Sequence, residues 1–524
     1  MSKIFNVTGT CFPHKHFMAD TSAKFKIAWR LLSYGDYFAI NRPRQYGKTT
    51  MLEALKQALI KSDEWLVFSI RFEGIDSETS SQMTPFCRSF VNLLAKQMLN
   101  RGETELESYL RQVAKEVQNL NDVSEIITEL VNKSHKKMVL LIDEVDKSSN
   151  NQLFLDFLGM FRDKYLNRED PSDYTFHSVI LAGLHDVKSL KTKIRPETDA
   201  KYNSPWNIAA DFKVVMELQP NEIVPMLEDY SQERGVPMDF QAIADALFYY
   251  TSGYPFLVSA LCKMMDEEIL PSRTDQIWTV FDIEIAADQM IKSERSNTNF
   301  DTLIKNLEND TALYDVVYKL VIENEPFNYN VHDPIINKGL LHGIFRNGTG
   351  LSIHNRIYRE VIVNYMTSKT LTSGQSLYIG TSEPYLLANN GLDMRKVLLK
   401  FQELMQLEYA KRDADFLERQ GRLLFLAFIK PIINGKGYAF KEVEISEERR
   451  MDIVVSFFQH KYIIELKIWR GDVAHRRGLK QLSDYLERQF LDTGYLVIFE
   501  KTATKSWKKG WIRSNGKRIF AVWV

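Results

Sequence analysis

The sequence predicts an α/β multidomain protein, a parallel sheet with helical additions followed by a second, smaller α/β domain, and three observations predict it. A chain of 524 residues exceeds what one core holds, and at roughly 150 residues per domain it divides into three or four. Its first third alternates strand-like and helical runs, the order that builds a parallel sheet. Its last part, beyond a stretch rich in Ser, Thr and Gly, again mixes short apolar strands with amphipathic helices.

Taken in order, YFAINRP reads as a strand, TTMLEALKQALIKS as a helix and EWLVFSIRF as a strand. A long amphipathic region runs to about residue 135, and KKMVLLIDEV and FHSVILAG supply two further strands. From Pro220 to about Ser293 the periodicity is helical, through NEIVPMLEDYSQERG, AIADALFYYTSG and YPFLVSALCKMMDEEIL. Between about 300 and 367, LYDVVYKLVIEN and IYREVIVNYMT flank GIFRNGTGLSIHN, whose Asn347-Gly348 is a hairpin turn signal. That segment reads as a winged-helix-like unit. SKTLTSGQSLYIGTSEPYLLANNG is the linker. After it come two helices, the strands YAFKEVEIS, RMDIVVSFF and KYIIELKIW, the helix KQLSDYLERQF and the strand YLVIFE. The expected divisions are therefore 1–219 for the core, 220–295 for a helical lid, 296–367 for the winged-helix-like unit, 368–391 for the linker and 392–524 for the C-terminal domain.

Composition narrows the setting. Cys11, Cys87 and Cys262 are far apart and form no C-x-x-C pair, which argues against a disulfide framework or zinc ribbon and for a reducing compartment, with the cytoplasm as the default. Cys11, His14 and His16 lack a fourth metal ligand. The longest apolar run, LLFLAFI, is far shorter than the roughly 20 residues of a spanning helix, so neither membrane association nor export is expected. From Gly391 onward 26 Lys plus Arg face 17 Asp plus Glu, and KTATKSWKKGWIRSNGKR interleaves seven cations with Trp507 and Trp511. Such a mixture suits phosphate attraction with base stacking, and it equally suits a solvated edge hairpin.

Two motifs carry phosphate chemistry. NRPRQYGKTTML ends a strand and opens a helix, where backbone N–H groups and a helix N-terminus face an anion. Gly47, Lys48 and Thr49 match the end of G-x-x-x-x-G-K-[ST], with Arg42 standing at the first glycine. Lys48 is expected on the phosphates and Thr49 on magnesium, with Thr50 beside it and Arg42 and Arg44 as either added positive charge at the loop or surface residues. VLLIDEVD, about 95 residues on, ends a strand in Asp143 and Glu144, one carboxylate for the metal's water shell and one beside the attacking water. Arg195, in a loop, is either an arginine finger or a salt-bridge partner, and TSGYPFLV is either a turn facing the nucleotide or a plain turn.

The second motif is in YIIELKIW. Alternation puts Ile463, Glu465, Lys467 and Trp469 on one face, so two charges are neighbours in an apolar strand. Asp452 lies thirteen residues earlier, a hairpin's length from Glu465. Two carboxylates and the intervening carbonyl can chelate a divalent cation, with Lys467 positioning water or stabilising charge on a phosphate. Glu418 on the preceding helix is expected to lend an acidic group, and Gln481 on the following helix to orient the nucleophile. A buried salt bridge is the competing reading.

In FNVTGTCFPHKHFMAD, YFAINRPRQYGKTTML, LLIDEVDKSSNNQLFLDFL, NSPWNIAADF, YTSGYPFLVSALC, KPIINGKG and IIELKIWRG, the chain resembles bacterial AAA-like ATP-binding proteins that carry a C-terminal PD-(D/E)XK nuclease-superfamily domain. The resemblance implies a P-loop AAA-like sheet of the STAND or archaeal-ATPase kind with lid and winged helix, then a restriction-endonuclease-like domain. It implies ATP or GTP and Mg2+ or Mn2+ as cofactors. Gly47, Lys48, Thr49, Asp143 and Glu144 would hold nucleotide, and Asp452, Glu465 and Lys467 would form the nuclease centre. The expected function is ATP-regulated cleavage of DNA, with RNA as the alternative substrate, in a homo-oligomer acting against foreign or mobile DNA. A nucleotide-dependent switch or scaffold that binds without cleaving is the rival, since the superfamily includes members that no longer cleave.

Overall fold

The computed structural model describes residues 2–71, 77–145, 152–183, 208–210, 212–292, 298–323, 327–348, 350–372, 383–409, 424–430, 432–433, 437–440, 453–469, 472–500 and 506–524. They form two compact units. The first comprises residues 1–296, 332–345 and 354–357, and the second 297–331, 346–353 and 358–524.

In the first unit, helix α1 (Ser22–Ser33) leads into strand β1 (Phe38–Asn41), helix α2 (Lys48–Leu59) and strand β2 (Trp65–Arg71). Helices α3 (Met83–Leu99), α4 (Thr104–Val113) and α5 (Leu120–Ser134) precede β3 (Lys137–Asp143), and α6 (Gln152–Leu166) precedes β4 (Ser178–Gly183). The four strands lie in the order β1-β4-β3-β2, all parallel. Every residue of β4 and all but the first of β3 are buried, as parallel strands covered on both faces must be, which explains their unbroken apolar sequences. On α3 the spacing Phe86, Phe90, Val91, Leu94, Met98 puts one apolar stripe on the core, where Phe90 meets Phe157 of α6 edge to face at 4.9 Å.

Helices α7 (Pro220–Arg234), α8 (Phe240–Thr251), α9 (Pro255–Met264) and α10 (Val280–Lys292) follow. Pro220 opens α7 and Gly235, at φ +71°, closes it. Tyr230 and Trp278 stack at 4.4 Å, and Phe5 and Phe17 close around Tyr230 at 5.1 and 5.3 Å, tying the N-terminal segment to these helices. Gly253 sits at φ +74°, and a Cβ there would lie 2.2 Å from the Leu218 carbonyl oxygen. Only glycine therefore fits the turn that presents Tyr254.

The second unit starts with α11 (Thr298–Glu308) and α12 (Thr311–Tyr318). Helix α13 (Pro334–Leu341) belongs to the first unit. Strands β5 (Phe345–Asn347) and β6 (Leu351–Ile353) form the expected hairpin, but Asn347 is the last residue of β5, so its turn starts at Gly348. Then come α14 (Arg356–Thr372) and α15 (Met394–Tyr409). The larger sheet is built from β7 (Gly437–Phe440), β8 (Ile453–Phe457), β9 (His460–Ile468), β10 (Thr493–Phe499), β11 (Lys509–Ser514) and β12 (Lys517–Trp523). Its order is β11-β12-β10-β9-β8-β7. Helix α16 (Asp472–Arg488), longer than its apolar sequence core suggests, lays Leu479, Leu482 and Leu486 on Ile463, Ile498 and Ile519. No helix among the described residues is long and apolar enough to cross a membrane.

Candidate functional site

In the first unit β1 delivers the loop 42–47 and β3 delivers Asp143. One strand, β4, lies between them, so the two strand ends are about 10 Å apart, twice the inter-strand spacing. Gly47 caps α2 at φ +78°, with nothing within 4 Å of a Cβ placed there, so the glycine is needed for its backbone and not for space. The Thr49 hydroxyl on the first turn of α2 donates to Asp143 Oδ2 at 2.8 Å and so spans the gap. The other carboxylate oxygen, Oδ1, accepts from the Glu144 N–H at 3.0 Å, while Arg71 Nε is 3.9 Å from Oδ2. Glu144 stands in the left-handed region at φ +57°. A non-glycine residue there costs about 1 kcal/mol or more, the kind of strain retained where a side chain must be aimed.

Lys48 Nζ donates to the carbonyls of Arg42 and Pro43, both at 2.8 Å, folding back over its own loop. Arg42, standing where a glycine was expected, supplies backbone through its N–H to the Gly183 carbonyl and spends its guanidinium on the carbonyls of Asn41 and Val214. It braces the loop rather than adding charge to its mouth. Arg44 is exposed and offers its carbonyl to Tyr254 Oη at 2.6 Å. Thr50 Oγ1 accepts from the Cys11 N–H at 3.1 Å. His16 Nδ1 accepts from the Phe12 N–H at 2.8 Å, a turn-forming use of a histidine considered for metal. Among the described residues there is no cluster of three or more His, Cys, Asp or Glu suited to a metal.

Sequence reasoning missed what holds the loop from behind. Tyr46, 1% exposed, hydrogen-bonds His354 Nε2, and that nitrogen lies 3.6 Å from Glu217 Oε1. Tyr254 packs edge-on against Tyr46 at 4.5 Å and His354 at 5.5 Å. Burial pushes the Glu217 carboxyl up, but the neighbouring His354 imidazole, the local backbone and the Arg42 guanidinium hold it below its ordinary value. The TSGYP turn thus faces the phosphate loop through Tyr254.

In the second unit Glu465 is 4% exposed on β9, opposite Leu496 of β10. Lys467 Nζ lies 3.3 Å from Glu465 Oε1 and donates to Gln481 Oε1 of α16 at 3.2 Å. Three of the five expected residues are together. Asp452 and Glu418 lie outside the described residues, as does Arg195; β8 is described from Ile453, which pairs with Ile464. A further residue shapes this group: a Cβ on Gly478 would come within 2.4 Å of Lys467 Nζ and 2.9 Å of its Cδ and Cε. No signal marked it, because the expected helix starts at Lys480 and leaves Gly478 outside; in the structure Gly478 is one turn from Gln481 on the same face.

The donor sets can be judged against the implied metals. A hydroxyl and a carboxylate at Thr49 and Asp143 are hard oxygen ligands that suit Mg2+ and leave room for its waters. Glu465 is one such ligand beside a lysine, a set that one further carboxylate would complete.

A parallel sheet with a lysine-bearing loop at one strand end and a carboxylate pair at another defines a P-loop, ATPase-like module. The AAA-like domain model matches residues 16–335, more than half of the chain, and the chain belongs to that family. Among solved structures it is similar to a Walker-type ATPase of Pyrococcus abyssi, at 11% identity over 68% of this chain and 99% of that one, TM-score 0.47. It is similar also to the ORC2 protein of Aeropyrum pernix in ADPNP-ADP complexes, at 12% identity over 67% and 93%, TM-score 0.37. A third is Cdc6p of Pyrobaculum aerophilum, at 13% identity over 70% and 97%, TM-score 0.34. No curated protein matches the chain.

Proposed function

We propose that the protein is an ATP-regulated, metal-dependent nuclease: the first unit binds and hydrolyses ATP, and this controls cleavage of DNA phosphodiester bonds by the second. The observation that carries the nucleotide half is the Thr49–Asp143 hydrogen bond, which brings a phosphate loop and an acidic strand end into one oxygen-lined site. When nucleotide enters, Lys48 exchanges two neutral carbonyls for anionic phosphate oxygens, adding charge–charge attraction to its hydrogen bonds. Thr49 and Asp143 would hold Mg2+, which when bound neutralises phosphate charge. Glu144, aimed by its backbone, accepts the proton of the attacking water. The backbone N–H groups at the start of α2 hold the phosphates, assisted by the helix dipole.

The nuclease half rests on Glu465, Lys467 and Gln481. Glu465 and Asp452 would hold the metal, Glu418 would support its water shell, Lys467 would stabilise charge gathering on the scissile phosphate, and Gln481 would orient water. DNA is the substrate class, on the basic balance of the C-terminal part, with homo-oligomers and a role against foreign DNA as the setting. A second reading, a switch that binds nucleic acid or protein without cutting, is favoured by the Lys467 ammonium already being paired with Glu465 and Gln481.

The test is incubation of the purified protein with plasmid, linear DNA and RNA, with Mg2+ or Mn2+, with and without ATP, beside Lys48→Ala and Lys467→Ala. The expected result is metal-dependent cleavage of DNA, abolished by Lys467→Ala and altered by ATP only when Lys48 is present. Cleavage indifferent to Lys467→Ala would overturn the assigned centre. ATP hydrolysis with every nucleic acid left intact would establish the switch.

A further inference from the structure

The edge of the larger sheet carries a charge pattern that folding alone does not explain. Strand β11 pairs with β12 antiparallel, with Lys509 opposite Val522, Trp511 opposite Phe520 and Arg513 opposite Arg518, so these six share one face. The other face holds Ile512 and Ile519 against α16. On that inner side the one cation, Lys517, is neutralised by Glu487 at 2.7 Å and Asp492 at 3.3 Å.

On the outer side Lys509, Arg513 and Arg518 are exposed and form no ion pair with any described acid. Residues 501–505, which precede the hairpin, contain no Asp or Glu. Arg513 and Arg518 stand directly opposite one another, an arrangement that destabilises a sheet by a few tenths of a kcal/mol or more. An anion removes that cost.

Trp511, 43% exposed on the same face, adds the second element. The Arg518 guanidinium lies over its ring at 4.6 Å, and Phe520 backs it edge-on at 5.1 Å, so the indole is held in place while remaining open to solvent. Among the described residues β11 is the outermost strand, with nothing paired beyond it.

The geometry points to this outer face of the β11–β12 hairpin as a binding platform for single-stranded nucleic acid, a base stacking on the Trp511–Arg518 pair while Lys509 and Arg513 hold the flanking phosphates. A rigid exposed aromatic flanked by unpaired cations is what sequence-tolerant strand binding requires, since every base has a π-face. A duplex, whose bases are already stacked, satisfies the cations but not the indole, and an acidic peptide likewise answers only the charge. The platform deepens the proposed nucleic-acid role of the second unit and rests on that reading for its biological use, though not for its measurement.

The test uses the full-length protein in EDTA, which separates binding from cleavage. Fluorescein-labelled oligothymidylate and a hairpin duplex of the same nucleotide number are titrated by anisotropy over a series of NaCl concentrations. Trp511→Ala is expected to weaken oligothymidylate binding roughly tenfold and duplex binding little, with Trp511→Phe retaining most of the affinity. Lys509→Gln with Arg513→Gln is expected to lower the salt slope by about 1.4, since each released phosphate contact contributes about 0.7 on single strands. Oligothymidylate affinity indifferent to Trp511→Ala and to the paired glutamine changes overturns the platform. So does displacement of the strand by polyglutamate as readily as by unlabelled oligothymidylate, which would mark an acidic-protein surface. Cleavage by wild type and Lys467→Ala is followed in parallel with metal present. A Trp511-dependent affinity without cleavage leaves the platform and removes the nuclease reading, and Lys467-dependent cleavage with Trp511-independent affinity does the reverse.

Discussion

Tyr46, in the phosphate loop, and His354, 308 residues further along the chain, are joined by a hydrogen bond between the phenol and imidazole Nε2. Both side chains are buried, and the bond fixes the residue that immediately precedes Gly47. Losing one partner of a buried hydrogen bond costs about 1–3 kcal/mol. Tyr46→Phe and His354→Ala are therefore each expected to raise the Kd for ATP roughly tenfold, measured by calorimetry. Because the two act through one bond, the double variant should be no weaker than the weaker single one. Fully additive losses would show that they act separately.

Glu144 is held in a strained backbone conformation with its N–H on the Asp143 carboxylate. Glu144→Gln keeps that N–H and removes only the base. ATP binding is expected to persist while steady-state hydrolysis falls by about 10²–10⁴, the usual worth of a positioned general base. Hydrolysis near the wild-type rate would assign the base elsewhere.

Gly478 leaves room for the end of Lys467. Because a methyl group there meets a flexible side chain and not backbone, Gly478→Ala should fold as well as wild type, or better by up to about 1 kcal/mol from helix propensity. Lys467 would then be displaced from Glu465 and Gln481. Cleavage lost at unchanged or raised Tm is the expected pair of results, and loss of both together would reduce Gly478 to a packing residue.

Lys430 is largely buried, its ammonium bonded to Asn364 Oδ1 and 4.0 Å from Glu360 Oε2. Burial pushes its pKa down to about 8. The folded state thus releases the proton at lower pH than the unfolded chain does, near 10.4. Between these values the unfolded state binds more protons, so stability rises with pH through this window, by up to about 3 kcal/mol. Below about pH 8 both states are protonated and the burial cost is present in full. Denaturant unfolding of wild type and Lys430→Met from pH 7 to 10.5 isolates the contribution as the difference in slope. Parallel curves would show that Lys430 keeps its ordinary titration.

Much of the nucleotide module was legible because its information is local. A glycine and lysine at a strand end, and an apolar run closing in Asp143 and Glu144, announce themselves in a dozen residues each. The bracing of the loop was not legible. Tyr46, Tyr254 and His354 meet across more than 300 residues of chain, and nothing in the local pattern of any of them signals the others. In the C-terminal part, alternation correctly set Glu465 and Lys467 on one face of β9, facing α16. The role of Gly478 emerges only once α16 is laid over that face.

The position of β4 has a consequence of its own. As the spacer between the lysine-bearing loop and Asp143, it acts as a ruler whose graduation is the backbone hydrogen bond. Its width does not depend on which apolar side chains it carries, so lineages are free to exchange Val179, Ile180 or Leu181 among similar residues without recalibrating the phosphate site. An inserted or deleted residue leaves that width as it is but slips the register of β4 against both neighbours, turning its side chains to the opposite face of the sheet.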